Sequence, residues 1–131
     1  MPSIFTRIIN GEIHCYKVAE DDNYFAFLDI SPLAKGHTLV VPKKETDYIF
    51  DLDDPALSGL ILFAKKVALS IEKAVPCKRI GVAVIGLEVP HAHIHLVPLN
   101  SMHDIDFSRP KLKLEKEELE AIASAISNKL G

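Results

Sequence analysis

The chain predicts an α+β fold in which helices cover a mainly antiparallel sheet. Three observations carry that expectation. β-branched and aromatic runs separated by turn residues crowd the first third. A long helix-period stretch from Ala56 to Val75 parts them from further strand-like segments. The run His91-Ala92-His93-Ile94-His95-Leu96-Val97 then alternates imidazole with apolar side chains, the period of a strand.

From the start, Pro2 to Gly11 places apolar pairs four apart. Proline suits a first helical position and Asn10-Gly11 a left-handed stop, which predicts a short helix. Tyr16 to Glu20 and Tyr24 to Ile30 read as a hairpin turned by Asp21-Asp22-Asn23. Ser31-Pro32 breaks the second strand, and Gly36 to Pro42 is a third, β-branched and stopped by proline. Asp53-Asp54-Pro55 starts the long helix. Along it Leu57, Leu60, Ile61, Ala64, Val67, Ala68 and Ile71 form the apolar stripe, Lys65, Lys66, Glu72 and Lys73 lie off it, and Pro76 ends it. Leu62, Phe63 and Leu69 also fall off the stripe, so the helix is expected to meet a second buried surface, a partner subunit being one candidate. Arg79 to Ile85 is a fourth strand and His91 to Val97, between Pro90 and Pro98, a fifth. Glu115 to Leu130 spaces Leu119, Ile122, Ile126 and Leu130 for a closing amphipathic helix ending at Gly131. Strand order is not set by these patterns.

A length of 131 residues suits one domain, 1–131, with a core of its own. The net charge of −3 and a pI near 6.0, with no basic stripe, speak against a nucleic-acid binder and leave small anionic ligands open. Cys15 and Cys77 are far apart and form no CxxC, so neither a disulfide framework nor a cysteine-rich metal site is expected, and a reducing cytosol fits. A basic segment followed by an apolar run is missing at the start, and no stretch reaches about 18 apolar residues. The expectation is a soluble cytoplasmic protein with neither signal peptide nor membrane contact.

Three imidazoles on one strand face, at steps of roughly 6 to 7 Å, make the candidate site. Each titrates near ~6.5 when unperturbed, and neighbours resist being protonated together. At least one is therefore expected neutral at pH 7, free to act as nucleophile, base or ligand. Alternating histidines are also a common zinc pair, so a metal site is the alternative. His14 and His103 stand alone and read as incidental; Lys65-Lys66 and the Glu115 to Glu120 run read as solvated helix faces.

The run from His91 to Val97 matches H-φ-H-φ-H-φ-φ, the signature of the histidine triad (HIT) superfamily, and the chain resembles its Hint-like bacterial branch of nucleotide hydrolases. Other blocks fit in order: Ile4-Phe5, Ile8 to Ile13, Glu20-Asp21-Asp22, Ala26 to Pro32, Gly36 to Lys43 and Glu88-Val89-Pro90. The resemblance covers almost the whole chain. It implies the HIT-like fold: a mainly antiparallel five-stranded sheet with a long central helix, a short N-terminal helix and a C-terminal helix. It also implies a nucleotide-binding hydrolase that cleaves purine nucleoside phosphoramidates or related nucleotidyl substrates, releasing AMP or GMP. A purine nucleotide-binding protein with weak or lost catalysis, or a diadenosine polyphosphate hydrolase, are the alternatives.

By the same resemblance His93 is the nucleophile, forming a nucleotidyl-imidazole that water hydrolyses, with no cofactor. A backbone carbonyl would fix its other ring nitrogen, while His91, His95 and His37 orient it and contact phosphate or leaving group. Asp29 is assigned to the ribose hydroxyls, and Ile4, Phe5, Ile8, Phe27 and Ile30 to the base pocket. A homodimer is implied, joined through the long helix and a sheet edge into a continuous ten-stranded sheet, with Leu62, Phe63 and Leu69 as its apolar surface.

Two departures from the family pattern stand out. Relatives often hold a structural zinc with a CxxC near the start, a histidine after the Pro-Lys of the third strand, and a triad histidine. This chain has Ser3, Thr6 and Glu45 at the replaceable places, so no zinc is expected. Relatives also carry an Asn-containing, glycine-rich loop and a Gln before Glu-Val-Pro-His. Here Val84-Ile85-Gly86-Leu87-Glu88-Val89-Pro90 is shorter, lacks the Asn and has Leu87 for the Gln, so slow catalysis is expected. Glu88 brings a carboxylate to the nucleotide site, where it is expected to disfavour polyphosphate leaving groups and favour amine-bearing ones.

Overall fold

The computed structural model describes Pro2–Leu130. In chain order the elements are α1 (Ile4–Ile9), β1 (Lys17–Glu20), β2 (Tyr24–Leu28), β3 (Thr38–Pro42), α2 (Asp54–Ala74), β4 (Arg79–Ala83), β5 (Ile94–Leu99) and α3 (Lys116–Ser127), with short 3-10 turns at Ile49–Asp51 and Met102–Ile105. The strands form one five-stranded sheet, ordered β1-β2-β3-β5-β4 and antiparallel throughout. This is the expected α+β, HIT-like architecture.

Strand alternation feeds two cores. Tyr24, Ala26 and Leu28 of β2, with Val40, Ala92, Ile94 and Leu96, meet Leu60, Phe63, Val67 and Ile71 of α2 and Leu119, Ala123 and Ile126 of α3. Phe25, Phe27, Leu39 and Val41 point the other way and pack with Phe5 of α1. Both faces being covered, β2 and β3 are buried at every residue. The three histidines alternate with Ala92, Ile94 and Leu96 and lie on the α1 side.

Several boundaries differ from the sequence expectation. α1 is capped by Ser3, whose side chain accepts from the Thr6 N–H, so Pro2 precedes the helix. β2 stops at Leu28, because Asp29 turns away: its carboxylate accepts from the Ser31 N–H at 2.8 Å. The fifth strand begins only at Ile94, since the Ala92 N–H is taken by Thr46 O at 2.7 Å rather than by a strand. It also runs through Pro98: pairing with β3 ends at Leu96, so a missing N–H costs nothing on that side. Gly36, at φ +95°, lies where a Cβ would sit 3.0 Å from Val75 and 3.3 Å from Pro98.

The long helix is turned relative to the predicted stripe. Its buried set is Leu60, Phe63, Ala64, Val67, Ser70 and Ile71. Phe63 is thus core, packed on Tyr24 at a centroid distance of 5.7 Å, while Ile61 is exposed with Leu62 and Leu69. Ser70 fits the stripe because its hydroxyl donates to Ile126 O. α3 ends at Ser127, short of the predicted Leu130, with Asn128 as its cap; the predicted stop at Gly131 falls outside the described residues.

Candidate active site

His37 enters just before β3, and His95 lies in β5 opposite Leu39 of β3 and Ala83 of β4. This places residues 58 apart in sequence side by side, with His37 Nε2 3.0 Å from His95 Nδ1. His93 and His95 ring centroids are 4.9 Å apart. They open into a cleft of about 450 Å³ walled by Ile4, Phe5, Leu39 and Val89 and carrying Asp29, Glu88 and Lys111.

The partners assign the protons. The Leu33 N–H donates to His37 Nδ1 at 3.0 Å, so a neutral His37 carries its proton on Nε2 and donates it to His95 Nδ1. His95 is left with its own proton on Nε2. His93 Nδ1 lies 2.8 Å from the His91 backbone carbonyl, which can only accept, so that nitrogen is the protonated one and Nε2 offers the lone pair. A backbone carbonyl does hold the middle histidine, in the manner the family resemblance implies.

Burial keeps His37 and His95 uncharged. Desolvation, with His95 and Lys111 adding repulsion, lowers the His37 pKa to about 3; desolvation and the neighbouring His93 lower His95 to about 4. Burial raises the Asp29 pKa from its ordinary value, against the Ser31 N–H, which lowers it.

His91 lies deeper than the other two triad histidines. It is fully buried, its Nε2 donates to Pro42 O at 2.8 Å and its Nδ1 meets Ser3 Oγ at 2.7 Å. Both ring nitrogens are engaged and it is not part of the cleft lining, which leaves its backbone carbonyl, bonded to His93 Nδ1, as its link to the site. Around it, Thr6 Oγ1 donates to Glu45 Oε1 at 2.7 Å, and the Ser3 N–H donates to the same oxygen at 2.7 Å. Those bonds hold the Glu45 carboxyl down at about 2, Thr6 contributing most. The places of the relatives' zinc ligands are thus brought together as a hydrogen-bonded knot. Two hydroxyls and one carboxylate, the carboxylate already taken by the Thr6 hydroxyl and the Ser3 N–H, do not fit zinc.

Asp29, His37 and His95 also bring ligand atoms within 4.8 Å of one another. Metal on His37 Nε2 would force its proton onto Nδ1, against the Leu33 N–H, so this group is poorly suited to an ion.

Of the expected base-pocket residues, Ile4 and Phe5 line the cleft. Ile8 and Phe27 sit behind them in the α1-side core, and Ile30 is exposed, outside the lining. Asp29 and Glu88 reach the cleft; His14 stacks on Tyr16, away from it. The segment before the triad turns at Gly86, φ +74°, and offers Ile85, Leu87 and Val89 beside the Glu88 carboxylate, with no side-chain amide. Sequence reasoning missed Phe107 and Lys111, which also line the cleft. They lie in an aperiodic stretch, and no local pattern marks them.

Comparison with known proteins gives a consistent result. The HIT domain family model matches residues 10–102. An uncharacterised HIT-like protein of Borreliella burgdorferi is 36% identical over 95% of both chains. Adenosine 5′-monophosphoramidase hnt1 of Schizosaccharomyces pombe is 32% identical over 99% of both. Among solved structures, a Hit-like protein involved in cell-cycle regulation from Bartonella henselae superposes with a TM-score of 0.84 at 33% identity, covering 98% of this chain and 96% of that one.

Proposed function

The chain belongs to the HIT domain family, and on that premise we propose that it is a nucleotidyl hydrolase that cleaves purine nucleoside phosphoramidates through a covalent histidine intermediate. One observation carries the reading: His93 commits its Nδ1 proton to the His91 carbonyl and keeps Nε2 as a lone pair, beside imidazoles that burial holds neutral. In the first step His93 Nε2 attacks the α-phosphorus and the P–N bond breaks, the departing amine taking a proton from solvent at the cleft mouth while His95 keeps its Nε2 proton as a hydrogen-bond donor. In the second, water attacks phosphorus, His93 leaves with its lone pair restored, and the water proton is released to solvent. Asp29 faces the ribose hydroxyls and Phe5 with Ile4 the base. Glu88 disfavours polyphosphate leaving groups.

AMP release from an adenosine phosphoramidate tests this. Wild type is expected to turn over slowly and His93→Ala to lose turnover; equal rates in the two would remove His93 as nucleophile. The second reading, a nucleotide-binding protein with weak catalysis, is favoured by the amide-free segment 84–90, and a wild type that binds AMP without turnover would select it. About one zinc per purified chain would overturn the metal-free mechanism.

The proposal includes a cytoplasmic homodimer built on 1–131 as one domain; α3, beyond the matched segment, supplies Leu119, Ala123 and Ile126 to the shared core. Among the described residues no helix is long and apolar enough to cross a membrane. Supporting the dimer, exposed Leu62 and Leu69 on α2 accompany an apolar groove of about 510 Å³ that includes Tyr48, Phe50, Ile61 and Ile85.

A further inference from the structure

Between Ile105 and α3 the chain has no regular structure, yet it is folded back against the cleft. The Leu112 N–H donates to Pro32 O at 2.8 Å, and the Phe107 ring stands edge-on to His95 at 4.8 Å and to His37 at 6.2 Å between centroids. Lys111 follows from this path. Its Nζ donates to the backbone carbonyls of Phe107, at 2.6 Å, and Arg109, at 3.1 Å, while the side chain lines the cleft that holds His93 and His95.

Among the described residues Lys111 is the one lysine or arginine lining that cleft, and Asp29 and Glu88 oppose it with two carboxylates. His37 and His95 add no standing charge, and the segment before the triad offers no side-chain amide. A phosphoryl group would therefore enter a site whose fixed charge, without Lys111, is negative. Anions settle in partly dehydrated sites only against a counter-charge or aligned donors.

We propose that Lys111 is that counter-charge: its ammonium pairs with the non-bridging phosphate oxygens of a bound nucleotide. Neutral carbonyls tether the ammonium without discharging it, and a third N–H remains for the ligand. The C-terminal stretch thereby supplies from outside the triad what segment 84–90 lacks. The assignment rests on the nucleotide-site reading above.

Calorimetric titration of AMP and of adenosine against wild type, Lys111→Met and Lys111→Arg, at low and physiological salt, tests it. Lys111→Met is expected to bind AMP about tenfold more weakly or worse, to keep adenosine affinity, and to lose most of the salt dependence that wild type shows. Lys111→Arg is expected to retain AMP. A Lys111→Met variant that binds AMP like wild type, or that loses AMP and adenosine alike, overturns the role while leaving the nucleotide site standing. A wild type that binds neither compound overturns the site itself and Lys111's role with it.

Discussion

Replacing Ser3 by alanine strikes two bonds at once. Its hydroxyl accepts the Thr6 N–H at 3.0 Å as the α1 cap and meets His91 Nδ1 at 2.7 Å. Losing a serine cap costs about 1 kcal/mol. Leaving a fully buried ring nitrogen without its donor costs about 1–3 kcal/mol more, and Thr6 Oγ1 is a poor substitute, 3.4 Å away and committed to Glu45. The expected loss is about 2–4 kcal/mol. Ser3→Gly separates the two contributions: glycine caps nearly as well as serine, to within a few tenths of a kcal/mol, so its loss reports the imidazole bond. Urea unfolding at pH 7.5, with m unchanged, reads both variants. A Ser3→Gly protein within about 0.5 kcal/mol of wild type would refute the claim that the knot around His91 stabilises the fold.

Other outcomes follow from the same geometry. Because the folded-state pKa values of His37 and His95 are depressed, to about 3 and about 4, the unfolded chain binds more protons below pH 6.5. Their contribution is full above that pH and drains away as pH falls towards those values, up to about 2 kcal/mol each by pH 5; an unfolding midpoint that does not move between pH 7 and pH 5 would contradict this. Gly59→Ala would place a Cβ 2.0 Å from the Tyr24 hydroxyl, which bonds Ala56 O. A net loss of about 1–3 kcal/mol is expected despite the better helix propensity, partly recovered by adding Tyr24→Phe; a thermal melt showing stabilisation would count against it. Leu62→Glu, at an exposed position of α2, should give a monomer mass by light scattering where wild type gives a dimer.

Among the described residues the five strands and three helices lie where apolar spacing together with β-branching, Pro and Gly stops and helix start signals put them, although β2 and β3 are buried on both faces and β4 has no buried residue. Apolar spacing misjudged the rotation of α2, where Ser70 is polar yet buried and Ile61 apolar yet exposed; a stripe read by hydrophobicity alone slides towards the greasier neighbour. His93 and His95 were legible from alternation, and Asp29 and His37 from the family pattern. The contact of Ser3 with Glu45, 42 positions apart, and the return of Phe107 onto His95 depend on how distant segments meet, which no local window contains. The buried end of His91 was hidden for the same reason: alternation gives the face of a side chain, not what already occupies it.

The chain of assigned protons from Leu33 through His37 to His95 terminates in a peptide N–H, which does not ionise at ordinary pH. It is therefore a blind alley for charge. A proton needed at the leaving group cannot be drawn from His95 or from behind it, since His95 or His37 would be left an imidazolate. On the proposed mechanism it has to come through the mouth of the cleft, from solvent. On that mechanism, traffic in protons and traffic in ligand would share the mouth beside Leu87 and Phe107.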